Sequence, residues 1–525
     1  MKTSTRLLIS LFALFIIGAL VYAFTEPLMQ QLNRLRGSDA GGLSQIQVGC
    51  DNYFGYAALL GRTNRAAMRQ RGYALECVDD GANYTARYQA LSEGDLDLAV
   101  FTKGAYLQVG APNWDAVEVL VMSESKGSDA IVANQSSGIG SLEDLKTAVQ
   151  NGQSLRVAVT PDSPSWTLVN AADNAFGLAI PDAWYVQTNG SSDALSRLQR
   201  GQADIAVLWQ PDITESLRSS NIVRLLGTED TTNLIVDVLL ASRTFAQRNP
   251  EAVQALTDAF FETLELYSTN TELLVEDIIN FGEQFDTTIS QDEARDMLAG
   301  IDYQVLEDNA IRWYGLADTQ LGVRRFDAIE TTHYLERTFL ATNLLNTPVL
   351  PPEGAAGLTN SRFVEAAFNA SPLSNQQFGQ VTTSVAGLQR DFVPLSAEEW
   401  QLLRPVGSLK QRPIGFQASQ AGLSDRGRQV LDEVASDLNT FSSFRLIIEG
   451  HTNAIGDAGA NMQLSQARAQ AIADYLVDAH GVDTDRLLVT GYGGSQPLTC
   501  PPEDSVRACA SRQQRSVLRF VRADI

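Results

Sequence analysis

Between Gln45 and about Ala341, short apolar runs alternate with stretches of helical period, and this alternation confines the segment to an α/β fold built on parallel sheets. The clearest runs are Ile46 to Gly49, Leu96 to Phe101, Val117 to Met122, Leu155 to Val159, Ile205 to Leu208 and Leu234 to Leu240. After Asn249 the pattern turns helical. Asn249-Pro250-Glu251 sets a proline in a first turn, and Val253, Leu256, Phe260 and Leu264 make one apolar stripe. A Pro/Gly break from Asn346 to Gly357 closes this segment, and 525 residues are in any case too many for one core. A second unit begins with a strand at Pro413 to Phe416. A helix capped by Ser424 follows, then the strand Phe444 to Glu449, a helix from about Ala460 to His480, and strands at Leu487 to Thr490 and Arg515 to Val521. That order is βαβαββ.

Ahead of both units, Leu7 to Phe24 is an uncharged run of 18 residues, close to the shortest helix that spans a bilayer. Lys2 and Arg6 hold the N-terminus in the cytoplasm. Two readings stand. One is a retained anchor, favoured by the length of the run and by the helical pattern continuing through Glu26 to Arg36; the other is a signal peptide cleaved at Val21-Tyr22-Ala23. Both export the remainder. The expected organisation is a cytoplasmic tail (1–6), a transmembrane helix (7–24), a juxtamembrane linker (25–44), an α/β domain (45–345), a connector (346–408) and the βαβαββ domain (409–525).

Export suits the cysteines. There are four, in two local pairs, Cys50 with Cys77 and Cys500 with Cys509, and an even count at short spacing in an exported chain points to disulfides. If the strands ending at Cys50 and Cys77 are parallel neighbours, their sulfurs share a sheet edge; unlinked buried thiols are the alternative. A net charge of −23 without a basic cluster excludes nucleic acid as a partner.

In the second unit, GHTN at Gly450 to Asn453, NMQLSQARAQAI at Asn461 to Ile472 and GYGGSQP at Gly491 to Pro497 resemble the three signature segments of the OmpA C-terminal family. The resemblance implies that peptidoglycan is the partner, in a Gram-negative envelope. In that family the GHTD aspartate and the LSxxRA arginine bind diaminopimelate of the wall peptide. The matching positions are Asn453 and Arg468, with Thr452 beside the first. Arg468 suits the carboxylate, whereas Asn453 keeps an acceptor for the ammonium but loses the charge. Arg515 lies near the family's closing Asn-Arg-Arg-Val, with Gln514 and Ser516 replacing two of those residues.

The loops after the α/β strands carry polar and aromatic groups: Asp51 to Tyr56, Thr102-Lys103-Gly104, Thr160 to Trp166, and Trp209 to Asp212. Each alone could be a cap or turn, but four together fit a ligand cleft at the carboxyl ends of the strands. VGCDNYFGY, GDLDLAV, RVAVTPDSPS and GQADIAVLWQPDI resemble landmarks of the type II periplasmic binding proteins for nitrate, sulfonates, taurine and thiamine precursors. The resemblance implies two lobes closing on a hinge, with crossings near Ala130 to Ala133 and Asp237 to Ala241. Candidate ligand residues are Asp51, Tyr53, Thr102, Ser163, Ser165, Trp209 and Asp237. The hydroxyls suit an anionic solute; the aromatics suit an apolar or cationic one, or are core.

The expected function is a membrane-anchored periplasmic solute-binding protein or sensor fixed to peptidoglycan. The alternative is a structural tether whose binding-protein domain is a ligand-free docking module. The three histidines (His333, His451, His480) are scattered and no nucleophile or metal constellation surrounds them, so neither catalysis, nor a metal, nor a cofactor is expected.

Overall fold

The alternation of apolar runs and helices resolves, in the computed structural model, into three sheets with helices on their faces. Residues 42–110, 114–317, 325–375, 392–410, 412–417, 420–501 and 504–523 are described. The expected transmembrane segment, 7–24, lies outside them. No helix among the described residues is long and apolar enough to cross a membrane.

The chain lays down β1 (Ser44–Cys50), β2 (Tyr73–Asp79), β3 (Leu98–Thr102) and β4 (Ala116–Ser125), then crosses to a second lobe. There it builds β5 (Asp129–Asn134), β6 (Val157–Val159), β7 (Tyr185–Gln187), β8 (Ile205–Trp209) and β9 (Ile222–Gly227). It returns with β10 (Val236–Ser242) and later β11 (Ile301–Tyr303). The C-terminal unit holds β12 (Arg404–Ser408), β13 (Arg445–His451), β14 (Leu487–Gly491) and β15 (Arg515–Arg522). The first lobe is ordered β11-β4-β10-β3-β1-β2, the second β7-β6-β8-β5-β9, and the C-terminal sheet β12-β15-β13-β14.

Four expectations need correction. The lobe sheets are mixed, because β10 re-enters between β3 and β4 antiparallel to both, and β5 runs antiparallel to β8 and β9. The apolar stretches assigned to the crossings are themselves strands, β5 and β10; the crossings fall on the polar segments beside them, 126–128 and 228–235. The first strand of the C-terminal unit is β12, paired antiparallel with β15, whereas Pro413 to Phe416 forms only a single bridge, Phe416 to Leu423. Part of the expected connector belongs to the first lobe: Asn360 N–H donates to the Glu118 carbonyl (2.8 Å) and Arg243 donates to the Gly357 carbonyl (2.7 Å).

Parallel pairing of β1 with β2 brings Cys50 and Cys77 into a disulfide with Cα atoms 5.8 Å apart, and Cys500 bonds Cys509 at 5.6 Å. The lobes are closed against each other. At Gly104, which opens the helix Lys103–Val109 of the first lobe, a Cβ would stand 2.1 Å from the Thr167 hydroxyl of the second lobe, so only glycine permits this approach.

The C-terminal unit rests on the second lobe. Fully buried Phe176, at the end of the helix Pro164–Phe176, meets Phe441 (5.4 Å between ring centres) and Phe520 (5.9 Å) edge-on. Lys146 donates to the carbonyls of Phe176 (2.7 Å) and Ser408 (3.1 Å), closing the seam. Phe176→Ala is expected to cost about 3–5 kcal/mol, the usual loss for a buried phenylalanine. Urea denaturation checks this, with fluorescence from the second lobe and proteolysis of the C-terminal unit followed side by side; loss of under about 1 kcal/mol would show that the aromatic seam is dispensable.

Candidate functional site

The cleft is built where strands of the two lobes end. In the first lobe Asp237 of β10 lies opposite Thr102 of β3 on one side and Ser123 of β4 on the other. In the second lobe Asp129 opens β5 and lies opposite Trp209, the last residue of β8. The turn after β1 adds Asp51, Tyr53 and Tyr56, with Tyr84, Pro164 and Ile235 completing the wall. The space left between closed lobes is about 10 Å³, room for roughly one water-sized group.

Among the described residues, the basic side chains near this wall are already committed. Buried Arg87 donates to Asp51 (2.7 Å) and Asp80 (2.6 Å) and to the Val100 carbonyl (2.8 Å), its guanidinium lying over the Tyr84 ring. Lys103 is paired with Glu118 inside the first lobe, and Tyr314 donates to the same carboxylate (2.8 Å). Arg312 pairs with Glu124 and Asp327, both at 3.0 Å. Asp129 and Asp237 have no such partner among the described residues. Asp129 accepts from the Ser125 hydroxyl (2.7 Å) and Asp237 from Ser123 (2.8 Å). The other Asp237 oxygen, Oδ1, and the Tyr53 hydroxyl are both buried with no hydrogen-bond partner, an arrangement that costs roughly 1–3 kcal/mol per group when nothing fills it.

Of the candidates read from sequence, Asp51, Tyr53, Thr102, Trp209 and Asp237 line the cleft. Ser163 and Ser165 do not. Ser163 Oγ caps the helix Pro164–Phe176, accepting from Ser165 N–H (3.1 Å) and donating to the Thr160 carbonyl (2.7 Å), while Ser165 donates to the Val207 carbonyl (3.3 Å). Their hydroxyls are spent on the fold. Among the described residues these two hydroxyls are therefore not available to a solute. Asp129 escaped the sequence reading because its stretch looked like a crossing; the signal available was an acidic residue beside Ser128 at the head of an apolar run.

On the C-terminal unit, β13 pairs with β14 so that Gly450 and Gly491 are neighbours. A Cβ on Gly450 would lie 2.1 Å from the Ser465 carbonyl, so glycine there lets the helix Ala458–His480 pack onto the sheet. Thr452 N–H donates to the Gly493 carbonyl (2.8 Å), and Ser465 Oγ accepts from Gly493 N–H (2.9 Å). The three motif segments thus meet at one end of the sheet. Asn453 is in the loop after β13, its Oδ1 accepting from Ile455 N–H (3.1 Å). Arg468, on the next turn of the helix after Ser465, lies over the Phe416 ring at 5.0 Å and donates to the Gln420 carbonyl (3.3 Å). Arg515 is opposite His451 in the β13–β15 ladder and donates to the Gln496 carbonyl (3.1 Å). His451 is buried and stacked on Tyr492 (5.3 Å), and the Thr452 hydroxyl is buried without a partner.

Burial, the largest cause for both, pushes the Asp237 carboxyl up to about 8 and that of Asp129 to about 7; for Asp237 the charges of Asp129 and Asp51 add to it. The ordinary value is 3.8, so between about pH 4 and 8 the folded chain holds protons that the unfolded chain has released. The stability from these groups is complete below pH 4 and falls as pH rises, by up to about 1.4 kcal/mol per pH unit for each, levelling off above pH 8. Asp237→Asn is expected to flatten this slope and to stabilise the ligand-free protein at pH 8. Urea midpoints of wild type and variant at pH 5.5 and 8 measure it, and equal slopes would refute it.

Residues 415–510 match the OmpA family, and residues 80–280 match the family described as ABC transporter, phosphonate, periplasmic substrate-binding protein. Outer membrane protein P5 of Haemophilus influenzae is 35% identical over 94 residues, 18% of this chain and 26% of that protein. The peptidoglycan-binding protein ArfA of Mycobacterium tuberculosis is 33% identical over 105 residues, 20% of this chain and 32% of its own. The chain therefore spans between a quarter and a third of these two relatives. Among solved structures, the periplasmic nitrate-binding protein NrtA of Synechocystis PCC 6803 superposes with a TM-score of 0.50 at 11% identity, over 65% of this chain and 92% of that one, a likeness of fold. One chain thus joins a two-lobed domain of the periplasmic substrate-binding type to a C-terminal domain of the OmpA family.

Proposed function

We propose that this protein is a periplasmic solute-binding protein or sensor, anchored in the inner membrane by its N-terminal segment and attached to peptidoglycan by its C-terminal domain. The observation that carries the solute reading is the interlobe cleft, where a carboxylate oxygen and a phenol hydroxyl stand buried and unpartnered. Groups left unsatisfied at a closing interface are what a ligand satisfies. Two crossings allow the lobes to open and close around it. A chain held at both membrane and wall is poorly suited to diffuse to a permease, which favours sensing or local capture. Broad thermal-shift screening of the exported chain tests this, since a bound solute stabilises the native state by mass action; no shift with any compound would leave the domain a spacer.

Wall attachment rests on the face where the three motif segments meet. Arg468 would pair with the carboxylate of the stem-peptide diaminopimelate and the Asn453 amide oxygen would accept from its ammonium, with Thr452 and Arg515 alongside. Asn453 Oδ1 accepts one bond from Ile455 N–H and keeps a second lone pair for the ligand. Arg468→Ala is expected to abolish retention on purified sacculi, and equal retention would remove Arg468 from the site. Asn453→Asp is expected to tighten binding roughly tenfold, the gain of about 1.4 kcal/mol that a charge-assisted bond brings over a neutral one.

A further inference from the structure

We propose that the interlobe cleft takes a small organic ammonium that carries N–H groups, held by Asp237 and Asp129 and flanked by Tyr53 and Trp209. This rests on the solute-binding reading above and names the chemistry of its ligand.

Charge comes first. The wall carries three carboxylates, Asp51, Asp129 and Asp237, and no lysine or arginine. Asp51 is neutralised by Arg87, leaving Asp129 and Asp237 as two buried acids with only serine hydroxyls to hold them. A buried carboxylate without a cation is held only at a high cost, so the site asks for a positive ligand. Once these acids are ionised, an anion would meet like charge from both lobes.

Donor capacity narrows the class. Asp237 Oδ1, in a residue 1% exposed, and the hydroxyl of Tyr53, 8% exposed, both line the cleft unpartnered. Neither is satisfied by a quaternary nitrogen, which has no N–H; both are satisfied by an ammonium that donates to the carboxylate and lies in reach of the phenol oxygen. The free space matches one water-sized group, the size of such a head. Tyr53, Tyr56, Tyr84 and Trp209 surround it with ring faces and edges, which attract cations and shed water. Among the described residues no three His, Cys, Asp or Glu side chains come together as metal ligands, which favours an organic cation over a metal ion.

Because the empty site holds its acids partly protonated, ammonium binding displaces a proton. The groups facing the two acids are Asp51 with its partner Arg87, the phenols of Tyr53, Tyr56, Tyr84 and Tyr303, and the hydroxyls of Ser123 and Ser125. The phenols are held neutral by burial, so Asp237 and Asp129 alone set the dependence.

The test is calorimetry and thermal shift on the exported chain, from pH 6 to 9. The probes are ethylammonium, ethanolamine, tetramethylammonium, nitrate, methylphosphonate and calcium chloride. Ethylammonium or ethanolamine should stabilise the protein, with affinity falling up to about tenfold per pH unit below pH 8, and tetramethylammonium should bind at least tenfold more weakly. Asp237→Asn should lose at least tenfold in affinity for the amines while remaining folded, as shown by a ligand-free midpoint at pH 8 no lower than that of wild type. Binding of nitrate or methylphosphonate, of calcium alone, or of tetramethylammonium as tightly as the amines would overturn the inference and leave the solute reading standing. No shift with any probe, and none across the broader screen, would take down both.

Discussion

One hydroxyl, that of Thr228, ties the two lobe crossings together. Its oxygen accepts from Gly127 N–H (2.9 Å) and Asp129 N–H (3.2 Å), both in or just after the outgoing crossing, while Thr228 itself begins the return. It also touches Ser125 Oγ at 2.7 Å, and Ser125 donates to the Asp129 carboxylate at 2.7 Å. The hinge and the cleft are therefore one hydrogen-bonded unit. Rotating the lobes about these segments must reorient Asp129, and anything that orders Asp129 bears on the hinge.

The same return crossing seats the C-terminal domain. Thr232 N–H donates to the Thr440 carbonyl (2.7 Å), Ser443 Oγ donates to the Glu229 carbonyl (3.0 Å), and Arg522 pairs with Asp230 (3.1 Å). With the Phe176 seam this fixes the C-terminal domain on the second lobe and on the return crossing. Asp230 is itself a delicate element: burial, the largest cause, pushes its carboxyl up to about 6, and Glu229 adds to this while Arg522 opposes it. Stepwise additions from aromatic packing and main-chain hydrogen bonds hold the seam, while the ion pair at its edge is weakened by its own burial.

Much of this was legible in the sequence, for physical reasons that also set the limits. Apolar runs of strand length reported the sheets because a strand buried on both faces has no polar period to hide it. The disulfide of Cys50 and Cys77 was legible as soon as their strands were taken as parallel neighbours. Loops after strands pointed to Asp51, Tyr53, Thr102 and Trp209, since cleft position follows from strand polarity. Register was not legible: that Asp129 stands opposite Trp209, or Asp237 opposite Thr102, is fixed by pairings between distant segments. Hydroxyls at a helix start looked the same whether they faced a ligand or capped the helix, and Ser163 and Ser165 proved to do the latter.

The ion pairs of the first lobe bear on the chemistry of the cleft. The first lobe spends its basic residues internally, Arg87 on Asp51 and Asp80, Lys103 on Glu118, Arg312 on Glu124 and Asp327. All of these residues but the half-buried Asp80 are buried, and losing one member of a buried pair would be strongly destabilising. Against this background, Asp129 and Asp237 stand apart: they are as deeply buried as the paired acids, yet supported only by Ser125 and Ser123. Other buried acids without a cation, Asp277 and Glu336, are each held by two backbone N–H groups; Asp129 and Asp237 instead face the cleft where the lobes meet. Strain kept at a site and compensated elsewhere is the usual mark of a group retained for binding, since packing alone would have replaced it.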